Sequence, residues 1–128
     1  MQVSEAESVV MEVLWTAEAG GRAPLAAEDV VAALVDRQDW QEATIKTLLN
    51  RLLKKGAIQA SRDGRRYLYT PVLSRQAWLL DESEGLLQRL FDGRVAPLVA
   101  HFSRHRKLDR ADIAALRKLI EEIDHAGD

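Results

Sequence analysis

The residues best suited to a chemical role lie on one short segment, residues 43–55, where polar and basic side chains alternate with leucines. The polar set consists of Thr44, Lys46, Thr47, Asn50, Arg51 and Lys54. Threonines meet thymine methyl groups or phosphates, whereas lysine, asparagine and arginine donate hydrogen bonds to base edges and backbone. The set therefore predicts DNA binding. A solvated amphipathic helix without a ligand carries similar residues, so composition alone leaves that alternative open.

Apolar residues place this polar set on a helix. They recur at positions i, i+3, i+4, i+7 and i+8, which predicts an amphipathic helix over residues 42–55 whose stripe is Ile45, Leu48, Leu49, Leu52 and Leu53. Lys54-Lys55-Gly56 is a typical helix end, with cations at the negative end of the dipole. For Trp40, just before the helix, two interpretations are equal: its ring packs in the core, or it also donates its indole N–H to a phosphate.

A β-hairpin is predicted immediately after this helix. Residues 57–62 and 66–71 read as short strands around Asp63-Gly64, a dipeptide typical of two-residue turns. Arg65 and Arg66 stand at the tip, where we expect phosphate contact; a turn that only aids solubility is the alternative. A groove-sized helix joined to a basic hairpin is the arrangement of a winged helix-turn-helix.

The remaining elements are all predicted to be helices. A capping box at Ser4 and Glu7 opens the first, and a short segment at Leu25 is expected to pair with a later strand. The fold class is therefore mainly α with a small β-hairpin wing, divided into a winged-helix DNA-binding domain, residues 1–72, and a helical dimerisation region, residues 73–128. The further predicted helices span residues 4–18, 26–36, 74–91, 95–102 and 109–124.

Charge is distributed unevenly along the chain. The chain of 128 residues has a net charge of −2, but residues 1–40 carry −6, residues 41–75 carry +6 and residues 76–128 carry −2. The positive charge coincides with the predicted helix and hairpin, which is where a phosphate-facing surface needs it.

The region after Pro71 buries little core by itself, because it offers only three helices with apolar stripes, one of them short. A homodimer would cover those stripes and would also pair the DNA-reading helices, one for each half-site. Trp78 is also a candidate for core packing, as is Trp15. The residues expected at the dimer interface are Trp78, Leu79, Leu86, Leu87, Leu90, Phe91, Ile113, Leu116, Ile120 and Ile123.

Several classes of function are disfavoured. The chain has no cysteine, which excludes disulfides, thiolate metal sites and cysteine nucleophiles. No phosphate-binding glycine loop or catalytic triad is recognisable, so we expect no enzyme activity and no cofactor. His101 and His105 have a spacing that can ligate a metal, but no third ligand is evident and we expect none to bind. Acidic residues in the first twenty positions and the lack of a long apolar run predict a cytoplasmic protein.

Several motifs resemble those of the penicillinase repressor family, which includes BlaI, MecI and CopY. They are Glu5-Ala6-Glu7, Val13-Leu14-Trp15, Thr44 to Leu52, Lys54-Lys55-Gly56 and Tyr67-Leu68-Tyr69. The resemblance implies a homodimeric repressor that binds a palindromic operator, often with TACA/TGTA-type half-sites.

The same resemblance implies a route of release. Family members that work with a membrane metallopeptidase sensor are cleaved at an Asn-Phe bond, and the corresponding position here is His101-Phe102. The phenylalanine matches and the asparagine does not. The cysteine metal hook of the copper-responsive branch does not carry over, because the chain has no cysteine. Two alternatives remain: release by a small ligand, and a winged helix that serves as a protein-interaction module.

Overall fold

The computed structural model describes residues 1–126, and it is mainly helical with one small sheet. The predicted fold class is confirmed. Within residues 1–126 no helix is both long and apolar enough to cross a membrane. In chain order the elements are α1 (Glu5–Ala19), β1 (Leu25–Ala26), α2 (Ala27–Leu34), α3 (Glu42–Lys55), β2 (Ile58–Asp63), β3 (Arg66–Pro71), α4 (Arg75–Phe91), α5 (Val95–Arg104) and α6 (Arg110–Ala126).

The chain forms two compact units, residues 1–80 and the residues from 81 onwards. The sequence predicts a boundary after residue 72, before α4 begins. In the structure the boundary between the two units falls within α4, between residues 80 and 81. The first turns of α4 belong to the first unit because Trp78 packs on Trp15 of α1, with ring centroids 5.4 Å apart. The indole N–H of Trp15 also donates to the carbonyl of Leu73 at 2.8 Å. Trp78, expected both in a core and at a dimer interface, therefore packs within the first unit.

The sheet of the first unit has the strand order β1-β3-β2, and both pairings are antiparallel. Leu25 pairs with Tyr69, so the predicted pairing of the Leu25 segment is confirmed. Strands β2 and β3 form the predicted hairpin, but its two-residue loop is Gly64-Arg65 rather than Asp63-Gly64, because Asp63 pairs with Arg66. Gly64 adopts a φ of 66° there, a left-handed conformation that favours glycine over residues with a side chain.

The hydrophobic core of the first unit holds α3 against α1 and α2. The predicted α3 stripe is buried except for Leu53, which is partly buried against the same cluster. These apolar contacts fix which face of α3 is turned away from the protein. The buried core comprises Val3, Val10, Met11, Leu14, Trp15, Val30, Leu34, Ile45, Leu48, Leu49, Leu52, Ala57, Ile58 and Tyr69.

The predicted capping box at the start of α1 is present. Ser4 N donates to Glu7 Oε1 at 2.9 Å, and Glu7 N donates to Ser4 Oγ at 3.1 Å. Glu7 is nevertheless almost fully buried, and the amino group of Lys55 also donates to its carboxylate, which compensates the buried charge. Burial alone raises the pKa of this carboxyl group, but the hydrogen bonds from Lys55 and Ser4 outweigh burial and hold the pKa below its ordinary value.

The second unit fully buries none of its described apolar side chains. Among the described residues from Asp81 to Ala126 none is buried, and Ile123 is 68% exposed. A reciprocal pair of hydrogen bonds joins Asp109 and Asp112 at the start of α6. The expected dimerisation residues Leu87, Phe91 and Leu116 are partly buried. The others in this unit are exposed: Leu86, Leu90, Ile113, Ile120 and Ile123.

Candidate nucleic-acid interface

Helix α3 presents all six of its predicted DNA-binding side chains to solvent. Its bounds match the predicted residues 42–55. It ends at Gly56, whose φ of 77° turns the chain directly towards β2. Because the core covers the Ile45–Leu52 stripe, the remaining surface of α3 is polar and basic. The exposed residues are Thr44, Lys46, Thr47, Asn50, Arg51 and Lys54.

The orientation of Thr47 limits what it can offer a ligand. Its hydroxyl group donates to the carbonyl of Ala43, one turn earlier, at 2.9 Å. This hydrogen bond uses the only proton that the hydroxyl can donate. The γ-methyl group is therefore the part of the side chain best suited to contact a partner, and a threonine methyl packs favourably on the methyl group of thymine.

The basic residues of α3 differ in how firmly they are held. Lys46 pairs with Glu42 at 3.0 Å, with both side chains more than half exposed. Such a surface pair contributes little free energy, so a phosphate can readily replace the carboxylate. Within residues 1–126 the side chains of Arg51 and Lys54 form no ion pair. Both are therefore available to bind an anionic surface.

Lys55 differs from its neighbour Lys54. Its amino group donates to the Glu7 carboxylate and, at 2.9 Å, to the carbonyl of Gln2. It thereby joins the end of α3 to the start of α1. We assign Lys55 to the fold, and Lys54 alone of the two to the candidate interface.

The hairpin adds three arginines beside α3. Within residues 1–126 Arg65, in the turn, forms no ion pair. Arg66 lies 3.4 Å from Glu28 and 3.5 Å from Asp63. All three side chains are more than half exposed, so both ion pairs contribute little free energy. Arg62 lies over the Tyr67 ring, 5.5 Å from its centroid, which orients its guanidinium group. Sequence reasoning did not name Arg62, although the two-residue turn places it opposite Tyr67.

Trp40 is partly buried and packs against the core, as both interpretations of its role require. Donation of its indole N–H to a phosphate stays a prediction.

His101 lies on α5 and His105 just after it, and neither belongs to this surface. The rings of His101 and His105 are 4.7 Å apart between centroids, and Phe102 of the expected cleavage position is 41% exposed. Among the described residues no group of three or more side chains of the kinds that ligate metals is close enough to hold an ion.

Comparison with known proteins places this arrangement in a family. The family model for the penicillinase repressor matches residues 3–122. The chain belongs to the penicillinase repressor family. It is 31% identical over 121 residues to the penicillinase repressor of Bacillus licheniformis, covering 94% of this chain and 91% of that protein. It is 25% identical to the methicillin resistance regulatory protein MecI of Staphylococcus aureus (strain N315), covering 94% of each.

Solved structures of BlaI are similar to part of this chain. The solution structure of the DNA-binding domain of the repressor BlaI is similar to this chain, with 34% identity and a TM-score of 0.51. That match covers 59% of this chain and 87% of the BlaI domain. The monomeric form of Bacillus licheniformis BlaI in complex with the blaP half-operator also matches, with 34% identity, a TM-score of 0.51 and coverage of 60% and 88%.

Proposed function

We propose that this protein is a homodimeric transcriptional repressor that binds a palindromic DNA operator through α3 and the hairpin of each subunit. The observation that carries the proposal is the outward face of α3, where Thr44, Lys46, Thr47, Asn50, Arg51 and Lys54 are exposed beside a basic hairpin. The family relative solved with its half-operator supports it.

In this proposal each α3 lies in the major groove. Thr47 packs its methyl group on thymine, and Asn50 and Arg51 reach base edges. Lys54 and the wing arginines Arg65 and Arg66 contact phosphates, which position the protein without reading sequence. The two subunits place their helices in successive grooves, so the operator is expected to have two-fold symmetry.

The uncovered apolar surface of the second unit supports the dimer. Exposed side chains such as Leu90 and Ile123 cost free energy in water, and a second copy would bury them. Because the interface is formed by residues that need not touch DNA, it can be tested separately from DNA binding.

A truncated chain tests the dimer. The cut is placed after Leu80, since Trp78 packs on Trp15 and must be kept. We expect residues 1–80 to sediment as a monomer, to bind a half-operator and to bind the full operator poorly, whereas the full chain sediments as a dimer. A truncated protein that stays dimeric would place the interface elsewhere.

We further propose that the repressor is released by cleavage at His101-Phe102 by a membrane metallopeptidase sensor. The exposed Phe102 side chain and the family membership support this route. Co-expression with a membrane metallopeptidase sensor should give a fragment ending at His101 by mass spectrometry, and Phe102→Ala should abolish that fragment. If the chain stays intact in cells in which repression has been relieved, release by a ligand or another partner is favoured instead.

A further inference from the structure

A cavity between α1 and α2 is not part of the DNA-binding surface. Its volume is about 720 Å³, within the range of small-molecule sites in proteins. All of its lining residues belong to the first unit, and none comes from α3 or the hairpin. Its apolar lining includes Val9, Val13, Ala17, Leu25, Ala32 and Leu34.

The acidic residues that line this cavity accept hydrogen bonds from other residues, whereas its two arginines form no ion pair within residues 1–126. Arg22 and Arg37, the only basic residues among residues 1–40, both line it. Of the lining carboxylates, Glu12 is paired with Arg75, whose Nε donates at 3.0 Å, and Asp29 Oδ2 accepts a hydrogen bond from the backbone N of Ala26 at 2.9 Å. Within residues 1–126 neither Arg22 nor Arg37 forms an ion pair.

We infer that this cavity binds a small organic acid, a carboxylate with an apolar body. The two guanidinium groups offer charge-assisted hydrogen bonds to the carboxylate, and the apolar lining takes the rest of the molecule. The cavity also borders the turn that leads to α3, where Arg37 N and Gln38 N donate to the carbonyl of Leu34 at 3.0 and 2.8 Å. The site would thus lie next to the DNA-reading helix without sharing its surface.

Two matched probes test the inference. The full chain, labelled with nitrogen-15, is titrated with octanoate and separately with 1-octanol, which has the same apolar body and no charge. We expect octanoate to shift the amide signals of the cavity lining saturably, and octanol to bind roughly tenfold more weakly, as loss of a charge-assisted contact implies. Equal binding of both probes, or shifts confined to α4–α6, would overturn the inference.

Variants locate the site. The double variant Arg22→Gln/Arg37→Gln removes the charges, and Ala32→Trp fills the cavity from an exposed lining position without changing charge. Both should weaken octanoate binding roughly tenfold. Arg89→Gln, a charge change on α4, should leave it unchanged. Equal loss in the Arg89 variant would contradict a defined site.

Two further controls separate this site from a general anion site. Inorganic phosphate at the same ionic strength should not displace octanoate; if it does so equally well, the apolar part of the inference is wrong. The double variant should also keep the wild-type salt dependence of operator binding. A reduced dependence would assign Arg22 and Arg37 to DNA phosphates and overturn the inference.

Discussion

Lys55 at the end of α3 donates a hydrogen bond to the buried carboxylate of Glu7 at the start of α1, across 48 residues of sequence. The contact fixes the C-terminal end of the candidate DNA-reading helix to the body of the winged helix. Lys54, the preceding residue, is exposed and forms no ion pair within residues 1–126. Two adjacent lysines therefore have different expected roles, which binding and unfolding experiments can separate.

The salt dependence of operator binding should distinguish these lysines. In a dimer, Lys54→Met removes two phosphate contacts, so the slope of log K against log salt should become shallower by about 1.8, at about 0.9 per contact. Lys55→Met should leave the slope unchanged and lower the thermal unfolding temperature, because that lysine is bound to Glu7. Identical slope changes in both variants would show that Lys55 also meets DNA.

The stability of the protein should depend on pH through Glu7. The pKa of Glu7 lies below its unfolded value of about 4.5, so the stabilisation is fully present above that pH and is lost as the pH falls through the folded pKa. We expect Glu7→Gln to lower the free energy of unfolding at pH 7 by about 1–2 kcal/mol, with partial exposure of Lys55 reducing the effect.

Urea unfolding of both proteins at pH 7 and pH 3 provides the measurement. The difference between wild type and Glu7→Gln should shrink at the lower pH. A difference that stays constant between the two pH values would show that the Glu7 charge does not stabilise the fold.

The methyl group of Thr47 should matter more for binding than its hydroxyl group. Thr47→Val keeps the methyl group and should retain operator affinity. Thr47→Ser removes the methyl group and should lose about 0.8 kcal/mol of binding free energy per contact, which is roughly a fourfold loss of affinity for each contact. Replacing operator thymines by deoxyuridine removes the partner methyl group. The wild type should lose affinity for such DNA and Thr47→Ser should not; equal losses in both would exclude a methyl contact.

Local sequence signals predicted most of the fold. The apolar spacing from Ile45 to Leu52 and the stop at Gly56 predict α3 correctly, and the Asp63-Gly64 turn predicts the hairpin, because periodicity and turn conformation depend on neighbouring residues. The exposure of the α3 polar set follows from the same spacing.

Contacts between distant residues could not be predicted in this way. Glu7 reads as a capping residue, and nothing near it in sequence indicates its second partner, Lys55. Core packing is expected for both Trp15 and Trp78, but their contact with each other depends on how the first turns of α4 pack on α1. The cavity near Arg22 and Arg37 likewise depends on how α1 and α2 pack together, which neither segment indicates by itself.

The central claim is that the exposed face of α3 binds the operator, and a titration of three variants tests it most directly. Operator DNA, identified by footprinting upstream of the protein's own gene, is titrated at fixed salt with the wild type, Arg51→Ala, Lys46→Ala and the control Lys118→Ala on α6. We predict roughly tenfold weaker binding for Arg51→Ala, a smaller loss for Lys46→Ala and wild-type affinity for the control. Unchanged affinity in both α3 variants would contradict the account.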